Sequence, residues 1–246
     1  MTDEDAKSLG PEFAADYARD FAPYPSKPVM LGGVVNAFLA DPSLVEAGNY
    51  MTMGAYTAYP YSRGSIHITD PNDLNDGYEF DTGFLNHPSD IKKQLWAYKL
   101  TREIARNLPY YRGELGLGHP KFPEGSQAAL LADLSLSGPN PHLNTASSAP
   151  GALPKLQYTT EDDAAIEDWI RTNLNTTWHS CGTCAMKPFD KGGVLDGDLN
   201  VFGTRGLKVA DLSITPENVG ANTNNTALAV GEKAAVIIGR ELGIEV

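Results

Sequence analysis

The stretch Val201–Leu242, VFGTRGLKVADLSITPENVGANTNNTALAVGEKAAVIIGREL, carries the reading of the fold. Gly203 and Gly206 set off Leu207-Lys208-Val209-Ala210, a short run ending at Asp211 that reads as a strand. A turn-like segment rich in Pro, Gly and Asn follows. From about Thr226, Leu228, Val230, Ala234, Ile237 and Ile238 recur at helical spacing among alanines, so the spacing predicts a helix. Asn222 to Asn225 offer side chains that suit the start of that helix.

Upstream, three further segments carry a pattern. Ser89 to Leu108 reads as a helix, with Ser89 and Asp90 placed to cap it, Ile91, Leu95, Tyr98, Ala105 and Leu108 near one face, and Pro109 after it. A second helix is expected from Thr160 to Leu174, with Thr160 and Asp163 in capping-box spacing and Ile166, Trp169, Ile170 and Leu174 as its stripe. Ser65-Ile66-His67-Ile68-Thr69 alternates polar and apolar after the Ser62-Arg63-Gly64 turn. It reads as half of an antiparallel strand pair with the run before the turn, and YEFDTGFL adds a further strand. A short helix is expected over GPEFAADYARDF, while PVMLGGVVNAFLA fits a buried strand or a helix, and periodicity does not decide. LSGPNPHLNTASSAPGALPK reads as a long loop. The fold class these elements suggest is α+β, an antiparallel sheet flanked by helices.

The totals bound the function. The 246 residues carry a formal net charge of −12. An acidic surface repels phosphate, which disfavours nucleic-acid binding and docking on anionic membranes. No apolar run approaches the roughly 20 residues that span a bilayer, and the acidic opening MTDEDAKSLG has neither signal-peptide nor transit-peptide character. The two cysteines make no disulfide framework, and a reducing compartment suits them.

Both cysteines lie in TWHSCGTCAM, Thr177–Met186. A thioredoxin-type C-x-x-C opens a helix, but Pro188 and Gly192-Gly193 leave little room for one here. Zinc needs about four ligands, or three plus water; His179, Cys181 and Cys184 are cramped, and no second cysteine pair exists. The plain reading makes both cysteines small buried fillers. His179 stands out from His67, His87, His119 and His142, which read as surface or loop residues, because an aromatic precedes it and the backbone-permissive Gly182-Thr183 follows. Arg63 reads as an exposed turn residue rather than an anion clamp, and Tyr50, Tyr56, Tyr59 and Tyr61 read as a packed sheet face rather than a pocket lining.

TWHSCGTCAM followed by GGVLDGDLNVFGTRGLKVADLSITPENVGANTNNTALAVGEKAA resembles the C-terminal signature of the glucose–methanol–choline (GMC) FAD-dependent oxidoreductases, and within them the fungal alcohol (methanol) oxidases. KPVMLGG, GNYMTMGAYTAYPYSRGSIHIT, FDTGFLNHPSDIKKQLWAYKLTREIAR and EDDAAIEDWIR agree with that subgroup, so the resemblance spans most of residues 27 to 243. It implies a division into a 1–29 N-terminal segment, a 30–190 substrate-binding domain and a 191–246 C-terminal part of an FAD-binding domain. The family's G-x-G-x-x-G turn, which cradles the FAD pyrophosphate, has no counterpart here. The chain is therefore expected to be the C-terminal portion of such an enzyme, with the N-terminal FAD-binding half as its needed partner and oligomerisation as a way to cover apolar faces left open. Relatives of the subgroup point to a cytoplasmic or peroxisomal location.

The resemblance places the family's catalytic histidine on His179 and its second catalytic position on Asn222. It puts Trp178, Asp211, Leu212, Asn222 and Thr223 against the flavin. The implied reaction oxidises a small primary alcohol with dioxygen, using FAD, to an aldehyde and hydrogen peroxide. The alternative from a different class is an inactive remnant, or an interaction domain unable to hold FAD by itself.

Overall fold

The computed structural model describes residues 1–108, 111, 113–130 and 154–244. They form two compact units of mixed α/β character, Met1–Thr57 with His87–Asn175, and Ala58–Asn86 with Thr176–Val246. The loop expected around residues 136–155, with His142, lies almost wholly outside the described residues.

The first unit opens with a helix that the sequence reading passes over. In α1 (Asp3–Ser8), Thr2 Oγ1 accepts from the Asp5 N–H while the Asp5 carboxylate accepts from the Thr2 N–H at 2.7 Å, and three acidic residues occupy the first turn. The polar opening thus folds because its acids sit at the positive helix end. Helix α2 (Pro11–Asp20) starts with proline inside its first turn and buries Phe13. Strands β1 (Met30–Val35) and β2 (Thr52–Thr57) pair antiparallel, from Met30 opposite Thr57 to Val35 opposite Thr52. Gly32 and Gly33 face Ala55 and Gly54 across this ladder, and without large side chains to alternate the strand shows no period in sequence.

Helix α3 (Pro88–Arg106) packs on β1, β2, α2 and α4 (Thr160–Asn173). Ile91, Leu95, Ile166 and Ile170 are buried, as their spacing requires. Two caps are corrected. His87 Nδ1, not Ser89, accepts the first-turn N–H, from Ser89 at 3.2 Å. Ser89 and Asp90 lie inside, Ser89 Oγ donating to Asp16 at 2.5 Å and Asp90 holding the fully buried Lys93 at 3.2 Å. The capping box of α4 is Thr159 with Asp162 rather than Thr160 with Asp163. The run TTEDD satisfies the same spacing in two registers, and tertiary packing selects one.

His119, read as a surface or loop residue, does lie in a loop but is not an exposed surface residue. It is half-buried, hydrogen-bonded through Nδ1 to Tyr98 Oη at 2.7 Å, and burial lowers its pKa to about 4. Beside it the Arg102 guanidinium grips Glu114 through two bonds of 2.7 and 2.8 Å and lies over the Phe122 ring.

The second unit holds β3 (Ser65–Ile68) and β4 (Tyr78–Asp81), antiparallel, with Ile66 opposite Phe80 and Ile68 opposite Tyr78. One antiparallel sheet was the expectation; the described residues make two separate two-stranded ladders, and the run before Ser62-Arg63-Gly64 pairs with β1 instead of β3. At the turn, a Cβ on Gly64 would collide with the Asp81 and Thr82 carbonyls, so the chain passes close against the end of β4 there. Arg63 braces it, donating to the Pro60 and Ser62 carbonyls at 2.5 and 3.0 Å.

Helix α5 (Asn224–Leu242) contributes Ala234 to a core with Leu195, Leu199 and Ile214, around which Val194, Val201, Val209, Val230, Ile237 and Ile238 pack. The strand expected at Leu207–Ala210 is reduced to a single antiparallel bridge, Lys208 with Asn200. No second strand flanks it among the described residues, so its apolar residue Val209 packs on the local core instead. Leu228, on α5, stays 62% exposed. No described helix is long and apolar enough to cross a membrane.

Candidate active site

All six residues singled out by the sequence, Trp178, His179, Asp211, Leu212, Asn222 and Thr223, lie in the second unit. Two segments without regular helix or strand carry them, Thr176–Met186 and Asp211–Thr223. Backbone bonds stitch these segments together: the N–H of Gly182 donates to Leu212 O at 3.3 Å, that of Cys184 to Ser213 O at 2.9 Å, and that of Met186 to Ile214 O at 2.8 Å. Buried Ile214 anchors the seam in the α5 core. Gly182 has φ +86°, and a Cβ there would sit 3.3 Å from Thr215 O, so the seam closes around a glycine.

At the open end of the seam stands Trp178. Its φ is +57°, in the left-handed region, and it is 81% exposed. A bulky residue in that conformation carries about 1–2 kcal/mol of steric strain, and here little packing of the ring offsets it. Such strain gathers where a chain must present a side chain for function. The Trp178 N–H is held by Thr176 Oγ1 at 3.0 Å. His179 follows, half-buried, with Trp178 as its immediate neighbour.

On the other segment, Asp211 caps the 3-10 turn Leu212–Ile214 by accepting the Ser213 N–H at 2.7 Å, and its bonds from Ser213 hold the carboxylate below the usual range. That is the ordinary turn role for this residue, and it fixes where Leu212 O meets Gly182. Thr223 is the N-cap of α5 and is buried at 7% exposure; Asn222 before it is exposed. The Thr223 side chain makes no cap bond and no acid occupies the first turn, so no carboxylate offsets the positive end of this 19-residue helix.

The cysteines are corrected: both are free and half-buried, and Cys181 Sγ bonds Asn218 Oδ1. Sequence reasoning missed Asn218. It stands in a turn-like run with no period, and nothing local marks it as the partner of a thiol 37 positions earlier. Among the described residues no group of three or more His, Cys, Asp or Glu is arranged to hold a metal.

The arrangement offers an imidazole and a carboxamide on stitched segments, an exposed indole beside the imidazole, and a helix N-terminus with no first-turn acid beside the carboxamide. Comparison with known proteins gives these residues a context. Alcohol oxidase 1 of Komagataella phaffii is 40% identical over 98% of this chain, and alcohol oxidase of Candida boidinii is 36% identical over the same share. The chain spans 41% of the length of these curated relatives. Among solved structures, a fungal aryl-alcohol oxidase superposes on 76% of this chain and 25% of its own, at 29% identity and a TM-score of 0.51. Formate oxidase of Aspergillus oryzae shares the fold over 98% of this chain and 37% of its own, with a TM-score of 0.69 at 18% identity. The family model of the GMC oxidoreductases matches residues 60–231, and with these relatives it shows that the chain belongs to the GMC oxidoreductase family.

Proposed function

We propose that this chain is the C-terminal, catalytic-pair-bearing portion of an FAD-dependent oxidase of short primary alcohols, forming an aldehyde and hydrogen peroxide. Its relatives bearing the name alcohol oxidase support the alcohol, and a GMC-type structural neighbour described as an FAD-dependent oxidoreductase, 25% identical at a TM-score of 0.56, supports the cofactor. The observation that carries the reading is Trp178, strained and exposed beside His179 on the segment stitched to Leu212.

The residues present fit one end of FAD. An exposed indole suits a flat ring system, and the start of α5 at Thr223, with no acid in its first turn, suits an electron-rich pyrimidine edge, since the positive helix end favours negative charge. They do not fit the other end, because none of the 24 glycines falls into a G-x-G-x-x-G turn. The pyrophosphate then needs a segment beyond residues 1–246. On this reading residues 191–246 belong to the FAD-binding domain and 30–190 to the substrate-binding domain.

When bound, FAD supplies the two-electron acceptor that dioxygen reoxidises. The protein's own residues handle the proton and the substrate oxygen. His179 takes the hydroxyl proton as the carbon–hydrogen bond breaks, the general-base role to which an imidazole is suited. Asn222 donates from its carboxamide to the substrate oxygen, orienting the hydroxyl and stabilising developing negative charge without titrating. Asp211 holds Leu212 at the seam, and Trp178 walls the site beside His179.

The test is reconstitution with a G-x-G-x-x-G-bearing N-terminal half from a relative. Anaerobic addition of a short primary alcohol is expected to bleach the flavin absorbance, and His179→Ala to slow bleaching by about 10²–10⁴-fold. Bleaching at the unaltered rate in His179→Ala refutes the assignment of the base.

A further inference from the structure

We propose that Cys181 and Asn218 are positioning residues, a thiol–carboxamide clasp that sets where His179 stands relative to Asn222; this rests on the reading of those two as the reacting pair. The three backbone bonds of the seam all begin at or after Gly182. His179 lies on the other side of that glycine, whose φ of +86° marks a change of chain direction. The Gly182 N–H bond to Leu212 O holds the Cys181–Gly182 peptide, and the Cys181 side chain adds a second tie on that side of the glycine by reaching Asn218 across the seam.

Asn218 is equally well placed. Thr215–Gly220 connects the 3-10 turn, anchored by Ile214, to Asn222 and the start of α5, and it contains no helix or strand. A fixed point at Asn218 limits the freedom of a connector whose ends are otherwise set by Ile214 and by buried Thr223. One side-chain bond thus links the residue two before which stands the imidazole to the residue four before the carboxamide. Cys184 sits on the same segment and shares the half-buried environment, but its tie across the seam is a backbone one, to Ser213 O. The two thiols therefore have different duties, and the duty of Cys181 is geometric rather than redox.

The experiment uses the 246-residue chain and, beside it, the reconstituted FAD-loaded protein, with Cys181→Ala, Cys181→Ser, Asn218→Ala, the Cys181→Ala/Asn218→Ala pair and Cys184→Ala. Amide hydrogen exchange is read at Trp178–Ser180 and at Gly220–Asn222. A thiol is a weak donor, so loss of this bond corresponds to roughly a two- to fivefold rise in exchange at both stretches. The clasp requires this rise in Cys181→Ala and in Asn218→Ala, no further rise in the double variant, a partial return in Cys181→Ser, and no change in Cys184→Ala. In the loaded protein it requires a fall in kcat with KM held, since a substrate still binds to a misaligned pair. Unchanged exchange in Cys181→Ala, or additive effects in the double variant, overturns the clasp. Should Cys181→Ala not fold, Cys181→Ser and Asn218→Ala carry the same comparison. The two readings fail separately: full activity in His179→Ala with exchange still raised in Cys181→Ala sinks the catalytic pair and leaves the clasp, whereas an inert His179→Ala with unaltered Cys181→Ala does the reverse.

Discussion

Replacing Trp178 with glycine isolates the feature on which the site reading rests. A tryptophan ordinarily buries much of its 150–250 Å² of side-chain surface. Here the residue is 81% exposed, so about 30–50 Å² is removed from water, worth about 1 kcal/mol. Against that loss, glycine relieves the left-handed strain, about 1–2 kcal/mol at φ +57°, and adds about 0.5–1 kcal/mol of unfolded-state entropy. The terms nearly cancel, and Trp178→Gly is expected to lie within about 1 kcal/mol of the parent. Trp178→Ala loses the same burial and keeps the Cβ, so it is expected to be less stable than the glycine variant, the reverse of their order inside a helix. Urea unfolding followed by circular dichroism measures both. A loss above about 3 kcal/mol in Trp178→Gly, as for a core aromatic, shows that the ring is buried and the argument from exposure wrong. Alanine more stable than glycine shows that the backbone is not left-handed.

Three further perturbations test the surrounding structure. Gly193→Ala drives a Cβ into the Lys187 carbonyl and is expected to destabilise by about 3 kcal/mol or more, read as a lowered thermal midpoint. Glu114→Ala strands the Arg102 guanidinium, which is 4% exposed, and is expected to lower stability by about 3–5 kcal/mol in chemical denaturation, with Glu114→Gln losing less. His119 has a folded pKa lowered by burial to about 4, below its ordinary 6.5. The unfolded chain then binds more protons between those values, so stability falls as pH drops from 6.5 towards 4. His119→Gln is expected to remove about 2–3 kcal/mol of that acid loss, checked by comparing urea midpoints at pH 7 and pH 4.5; an unchanged difference contradicts the burial of the ring.

The elements legible in the sequence are those whose cause is local. Helices α3, α4 and α5 follow from apolar residues at helical spacing, and their stripes are buried where Ile91, Leu95, Ile166 and Ile170 require it. The caps slipped by one or two positions because TTEDD and HPSD each offer more than one oxygen or nitrogen at the right distance, and only packing chooses. Strand partners were not legible. The alternation over Ser65–Thr69 states that a strand exists and which residues share a face, and it is silent on which strand lies alongside. The close approach of Gly64 to Asp81 and Thr82 is likewise absent from any local pattern.

The site divides along the same line. His179 and Asn222 are named by resemblance, and nothing in their own spacing, 43 positions apart, joins them. What joins their segments is a set of tertiary bonds: three backbone ones whose donors any residue except proline supplies, and one side-chain bond at Asn218 that no sequence period announces. Residues that react are legible because few side chains can do the chemistry. Residues that hold them are not, because a backbone N–H, a glycine at positive φ or a thiol serves equally well in many other places. A site built on irregular segments therefore depends most on the residues a sequence reveals least. That is why Gly182, Cys181 and Asn218, rather than His179, are where substitutions should disturb the geometry without touching the chemistry, and why activity lost in those variants with an intact imidazole separates position from reactivity.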